Sequence, residues 1–203
     1  MASSLPNEQT FITAAKRGDV DAFNRLVLHY QDGVYSLAYR IMGDEASAAD
    51  AAQEAFILAY RRLETYQGGS FKAWLLRIAT NACYDELRRR KRRPATAFED
   101  LPGAEADDGP PLPSDEISPE QAVQQAELRR AIEGCIRGLQ TDQRTVLLLS
   151  DVEELSYQEI AAITGVNLGT VKSRLSRARL GVRGCLEAFR ELLPSGFRQS
   201  SNQ

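Results

Sequence analysis

Lys172, Arg174, Arg177 and Arg179 cluster in GVNLGTVKSRLSRARLGV (165–182), and no carboxylate appears from Gly165 until Glu187. A solvated helix usually mixes its signs, so a one-sign cluster on a chain of net charge −3 fits an anionic partner. A second basic run is denser: RRRKRRP holds six consecutive cations, Arg88 to Arg93, stopped by Pro94. Two cations would complement a helix C-terminus. Six in a row repel one another unless a polyanion lies close, and nucleic acid is the partner that residue type implies. Upstream, Tyr66, Phe71 and Trp74 flank the QGGS loop (67–70). Aromatics beside a basic groove form the stacking platform that single-stranded nucleic acid uses. Core burial is the competing reading of Phe71 and Trp74, and for Trp74 it is preferred.

A third constellation is acidic. Asp50, Gln53 and Glu54 stand at i, i+3 and i+4, so they share one helix face with no evident intrachain task. Catalytic arrangements are not found. The single histidine, His29, lies between Leu28 and Tyr30 on a helix that already supplies core residues, and reads as a packed or surface side chain. No phosphate-cradling Gly-x-x-x-x-Gly-Lys loop, nucleophile elbow or paired-cysteine site occurs. No cofactor is expected. Cys83, Cys135 and Cys185 stand about fifty residues apart, a spacing that suggests neither a disulfide framework nor a zinc site. All three are expected to be small buried or half-buried apolar residues.

Which elements would carry these groups follows from composition. At 203 residues and 43% apolar, the chain suits one medium domain or two small ones. No apolar run reaches 18 residues and no secretory h-region follows Met1, so neither export nor membrane insertion is expected and a cytoplasmic location is. Charge is segregated. Residues 1–93 hold 14 cations against 11 carboxylates, and residues 94–118 hold seven carboxylates and no cation. Residues 119–203 hold 11 cations against 10 carboxylates. The middle stretch, PATAFEDLPGAEADDGPPLPSDEISPE, contains six of the eight prolines and cannot bury enough apolar surface to form a core.

The expected fold is therefore all-α, with two small helical domains joined by an acidic, Pro-rich linker. The divisions are an N-terminal lead (1–20), a first unit (21–93), the linker (94–120), a second unit (121–186) and a tail (187–203) without a readable pattern. In the first unit, Phe23, Leu26, Val27, Tyr30, Val34, Leu37, Ala38 and Ile41 follow helical spacing. Asp44 is an N-cap for a helix burying Ala52, Ala55, Phe56 and Ala59, and Ser70 caps the helix that ends in the basic run. The second unit reads as a helix-turn-helix. Ile160 and Ala161 lie on a short helix, Gly165 on the turn, and Asn167 caps a helix buried through Val171, Leu175 and Ala178. That register sends Lys172, Ser173, Ser176 and Arg177 outward, with side chains suited to base edges and phosphates.

DAAQEAF (50–56), GSFKAWLLRIATNACYDELRRR (69–90) and DQRTVLLLSDVEELSYQEIAAITGVNLGTVKSRLSRAR (142–179) together resemble the extracytoplasmic-function class of bacterial sigma factors, in the sigma-70 family. The resemblance spans roughly residues 20–186. It implies region two in the first unit and region four in the second. It further implies a subunit that binds core RNA polymerase, melts the minus-ten promoter element and reads the minus-thirty-five element. By position, Asp50, Gln53, Glu54 and Phe56 match the polymerase-contacting helix, although Phe56 also suits the core. Ser70, Trp74, Arg77, Asn81, Arg88 and Arg89 match the minus-ten surface. Thr170, Lys172, Ser173, Ser176, Arg177 and Arg179 match the minus-thirty-five surface. One departure stands at the start of region four, where Gln140 follows Leu139 in place of the family's frequent proline. The resemblance also implies an anti-sigma factor as a partner, and no obligate homo-oligomer. The alternative reading is a conventional helix-turn-helix regulator that acts without being a polymerase subunit. A helical enzyme with a DNA-binding tail is a third reading, weakened because no catalytic groups are found.

Overall fold

The computed structural model describes residues 5–92 and 119–193. Most of the expected linker, Arg93 and the end of the tail lie outside the described residues. Among those described, all regular structure is helical.

Three helices build the first unit, α2 (Val20–Met42), α3 (Glu45–Arg61) and α4 (Phe71–Arg92), and α1 (Glu8–Lys16) precedes them. The Asp19 side chain accepts from Ala22 N at the start of α2, and Gly43, at φ 88°, takes the left-handed conformation that ends it. Phe23, Leu26, Tyr30, Val34, Leu37, Ala38 and Ile41 are buried as one stripe, while Val27 is half-buried. Asp44 caps α3 as expected, accepting from Ser47 N at 2.9 Å. The buried face of α3 is made of Ala48, Ala51, Ala52, Ala55 and Ala59, so this helix can approach α2 and α4 closely. Phe71, Leu75, Ile78, Ala79 and Cys83 complete the core from α4. The lead contains α1, for which the sequence signalled nothing; it buries Ile12 and Ala15 against the same core.

The second unit holds α5 (Pro119–Arg137), α6 (Thr141–Leu147), a π-helical turn (Leu148–Val152), α7 (Tyr157–Thr164), α8 (Leu168–Leu186) and a 3₁₀ segment (Glu187–Leu192). Gln140, which replaces the frequent proline, is the N-cap of α6 without a side-chain cap bond. The core here comprises Val146 to Leu149, Leu155, Ile160, Ile163, Val171, Leu175 and Ala178.

The two units pack against each other through α4 and α7 and share a continuous apolar core. Lys72 Nζ lies 2.8 Å from Glu153 Oε2 and donates to Glu153 O at 3.0 Å. Arg144 is buried between the units. Its Nη2 donates to Ile41 O at 2.9 Å and its Nη1 to Arg137 O at 2.8 Å. Both carbonyls belong to the last turns of helices, α2 and α5, where no intrahelical donor remains. Burial and the nearby Arg137 charge pull the Arg144 guanidinium below its ordinary value.

One expectation is overturned. Cys135 and Cys185 are joined by a disulfide, with Cα atoms 5.6 Å apart. Packing of α5 along α8 brings together two residues separated by 50 positions, a proximity that sequence spacing does not encode. Cys83 behaves as expected, a free thiol in the core of the first unit.

Candidate nucleic-acid interface

The helix-turn-helix is fixed by three local devices. Ser156 and Glu159 form a capping box at the start of α7, with Ser156 N donating to Glu159 Oε2 at 2.8 Å and Glu159 N to Ser156 Oγ at 3.3 Å. Gly165, at φ 69°, ends α7 in the left-handed conformation that a side chain would strain. Asn167 then caps α8, its Oδ1 accepting from Thr170 N at 2.8 Å and from the Thr170 hydroxyl at 3.1 Å. Val171, Leu175 and Ala178 are buried, and Lys172, Ser173, Ser176 and Arg177 are exposed, as their register requires.

The four cations of the opening cluster divide by environment. Arg174 pairs with Asp142 of α6 at 2.5 Å. Arg179 grips Asp151 of the π turn with two donors, Nη2 to Oδ1 at 2.7 Å and Nε to Oδ2 at 3.0 Å. Lys172 and Arg177 have no acidic partner among the described residues and stand in solvent. Thr170 is half-buried and engaged with its cap, and the Ser173 hydroxyl donates to Thr170 O at 3.0 Å. Arg179, which matches the minus-thirty-five surface by position, is exposed and also meets an acidic residue 28 positions upstream.

On α4, Ser70, Trp74, Arg77, Asn81 and Arg88 follow one another at intervals of four, three, four and seven, a single stripe. Ser70 also caps the helix, its Oγ accepting from Ala73 N at 3.1 Å. Arg77, Asn81 and Arg88 are exposed; Trp74 is half-buried, its ring 5.4 Å from Phe71 and 5.6 Å from Tyr66 between centroids. Tyr66 and Phe71 are core residues at 3% and 2% exposure, so neither offers a free stacking face. The Tyr66 hydroxyl donates to Gly69 O at 2.7 Å, which pins the glycine loop beside Trp74.

The basic end of α4 is partly neutralised. Arg88 pairs with Asp85 at 3.0 Å and Arg89 with Glu86. Arg90 reaches both Glu86, at 3.3 Å, and the capping residue Asp44, at 2.9 Å. Burial alone would raise the Asp44 carboxyl; hydrogen bonds from Ser47 and Arg90 outweigh it, so the net shift is downward. These pairs hold the cations as a patterned strip, with the positive excess retained.

Asp50, Gln53 and Glu54 are exposed on α3 and border a cleft of about 570 Å³ whose other wall includes Asp85 and Arg89 of α4. Phe56 is half-buried against the core. Ile57, 39% exposed in the same cleft, is an apolar surface residue with no charge or motif to mark it in the sequence.

Two helical units, one ending in a cationic strip and the other carrying a helix-turn-helix, define a DNA-directed protein. Residues 26–93 match the sigma-70 region 2 model and residues 129–180 match a sigma-70 region 4 model. RNA polymerase sigma-H factor of Pseudomonas aeruginosa is 39% identical over 89% of this chain and 94% of its own length. ECF RNA polymerase sigma factor SigW of Bacillus subtilis is 38% identical over 85% of this chain and 92% of its own. ECF RNA polymerase sigma-E factor of Escherichia coli K12 is 38% identical over 85% and 90%. A solved structure of sigma factor RpoE with the anti-sigma factor NepR from Bartonella quintana is 26% identical, with a TM-score of 0.60 over 81% of this chain and 96% of that one. CnrH, solved with the cytosolic domain of CnrY, shares the fold at 24% identity, with a TM-score of 0.62 over 90% of this chain and 99% of that one.

The chain belongs to the extracytoplasmic-function sigma factors of the sigma-70 family. It is a sigma factor that directs promoter-specific transcription initiation. The region 2 match is what a free-standing helix-turn-helix regulator would lack, so that alternative is not favoured. No helix among the described residues is long and apolar enough to cross a membrane.

Proposed function

We propose that the first unit, residues 21–93, binds core RNA polymerase and opens the minus-ten element, and that residues 121–186 read the minus-thirty-five element. The observation that carries this division is the existence of two separate exposed surfaces of matching chemistry. The stripe from the cap Ser70 along α4 to Arg88 combines a half-buried indole with donors and cations, the set that a splayed single strand meets. Lys172, Ser173, Ser176 and Arg177 project from the N-terminal half of α8, which is the part of such a helix that enters a major groove. Asp50, Gln53 and Glu54 supply a carboxylate-rich face suited to a polymerase surface, with Ile57 as an apolar contact beside them. Phe56 acts from beneath, by shaping that face.

The protein acts in the cytoplasm, where polymerase and promoter are, and itself performs no bond-breaking chemistry. An anti-sigma factor is a further expected partner, by analogy with the RpoE structure. Run-off transcription with purified core enzyme tests the reading. The chain plus core should initiate at a defined start, and the chain alone should not. Binding to duplex DNA at full specificity without polymerase would refute it.

A further inference from the structure

The disulfide encloses the whole helix-turn-helix, because α6, the π turn and α7 lie between Cys135 and Cys185 and α8 ends beside Cys185. The disulfide is the one covalent cross-link between helix α5 and the end of α8 among the described residues. Along Gln121–Arg137 only Ala131 and Cys135 are fully buried, with Ala126, Leu128, Ile132 and Ile136 half-buried, so this helix lies on the rim of the core. Its further anchors include half-buried Leu128, Ile132 and Ile136, the Arg144 bond to Arg137 O at 2.8 Å, an Arg40–Glu133 pair at 3.9 Å and an Arg137–Tyr39 contact at 3.3 Å. Exposed pairs of that kind contribute little. The bond is reachable from the Cys185 side: Cys185 is half-buried, Cys135 is buried, and both line an open cavity of about 410 Å³ beside Ala131, Gly134 and Phe189. Disulfides persist poorly in the reducing compartment where transcription takes place, and those found there are usually redox-sensing or catalytic.

We propose that Cys135 and Cys185 form a reversible thiol–disulfide pair that sets how firmly the promoter-reading unit is held, with low-molecular-weight thiols and disulfides as exchange partners. The assignment of this unit to promoter reading rests on the function proposed above. In reduction, an incoming thiolate attacks Cys185 Sγ, the more accessible sulfur. The Cys135–Cys185 bond breaks, and its electron pair leaves on Cys135 Sγ, which takes up the proton the incoming thiol released. A second thiolate attacks the external sulfur of the mixed disulfide, expelling Cys185 thiolate, which is then protonated. Two external thiols have become one external disulfide, and the protein has gained two electrons and two protons. Without the cross-link the loop of the helix-turn-helix regains its closure entropy on opening. Cys83 takes no part, since burial pushes its thiol up to about 12.

The full chain is equilibrated in a series of reduced and oxidised glutathione ratios. Free thiols are trapped by alkylation and counted by mass spectrometry, and amide hydrogen exchange is followed in parallel. The pair should interconvert within the series. Reduction should speed exchange in α5 to α8 roughly tenfold or more, as removal of a long-loop cross-link implies, with α2 and α3 much less affected. Cys135→Ser and Cys185→Ser should match the reduced protein in every buffer. A pair that stays oxidised or stays reduced throughout the series overturns the proposal. So does interconversion that leaves α5 to α8 exchange unchanged. Neither readout involves polymerase or a promoter, so a failure of the initiation reading would appear separately, in the run-off assay.

Discussion

Arg179 of α8 and Asp151 of the π turn form a two-point ion pair, at 2.7 and 3.0 Å, that ties the back of the recognition helix to the scaffold behind it. Two positions earlier, Arg177 is exposed with no carboxylate beside it among the described residues. One helix therefore carries an arginine paired to the scaffold and one left free of any acidic partner among the described residues, the latter being the proposed DNA contact. Arg177→Ala should relax base preference at the upstream element, by about 1–3 kcal/mol if the contact is bidentate to guanine. Arg179→Ala should leave that preference intact and lower stability by at most about 1 kcal/mol, as expected of a partly exposed pair. Binding to matched and single-base-altered promoters, measured for both variants in holoenzyme, decides between them. Loss of preference in Arg179→Ala alone would reverse the assignment.

The same pair predicts a pH dependence. Hydrogen bonding from Arg179, opposed by burial, holds Asp151 below the usual carboxylate value. A carboxyl with a depressed folded pKa contributes stability that is present above its unfolded value, near 3.9, and is lost as pH falls through the lower folded value. The stability gap between the native chain and Asp151→Asn should therefore be full at neutral pH and close progressively below about pH 4. Denaturant midpoints for both proteins between pH 7 and pH 3 provide the measurement. A gap that widened on acidification would contradict the sign.

Glu54 is exposed on α3, beside Asp50, Gln53 and Ile57. Reversing its charge should change folding stability by about 0.5 kcal/mol or less. Placing a like charge in a complementary interface can cost several kcal/mol. Glu54→Arg should therefore fold normally and fail to compete with the native chain for core polymerase. Wild-type competition would remove this face from the interface.

Much of this arrangement is legible in the sequence, for identifiable reasons. Helix α2, the caps Asp44 and Asn167, the turn at Gly165 and the inward stripe Val171, Leu175 and Ala178 all rest on local spacing or on a side chain bonding a backbone three residues away. Those signals survive in one dimension. What escapes depends on distance across the fold. The Cys135–Cys185 bond, the Arg179–Asp151 pair and the reach of Arg144 to Ile41 O join residues 28 to 103 positions apart. Tyr66 shows the converse error: proximity to a glycine loop suggests a stacking face, but its ring is buried and its hydroxyl serves the loop backbone.

Arg144 carries a further prediction. Its guanidinium serves terminal carbonyls of α2 and α5 at once, so it joins the first unit to the second through two helix ends. Removing it leaves both carbonyls without a donor, a penalty of about 1–3 kcal/mol per fully buried group. Arg144→Met should lower stability by an amount in that range and loosen the packing of the two units, seen as faster hydrogen exchange at α4 and α7. Arg144→Lys should restore only part of it, because one ammonium cannot span two carbonyls in the fixed fork of a guanidinium. Equal stability in all three proteins would show that the carbonyls are satisfied without Arg144.

The cationic end of α4 should behave unlike Arg177. Arg88, Arg89 and Arg90 are paired with Asp85, Glu86 and Asp44, whereas among the described residues Lys91 has no acidic partner and Arg92 meets Arg88 O, at 3.3 Å. Neutralising Lys91 and Arg92 therefore removes charge without freeing any carboxylate among the described residues. If each meets a phosphate, Lys91→Ala with Arg92→Ala should weaken binding equally on matched and mismatched promoters. It should also flatten the plot of log affinity against log salt by about 0.7 to 0.9 for each phosphate no longer neutralised. Arg89→Ala would be a poorer probe, since it leaves Glu86 with less compensation beside the backbone. A salt series on matched and mismatched promoters reads both quantities. An unchanged salt slope, or a weakening confined to one sequence, would mean that this end of α4 reads bases and does not merely hold phosphates.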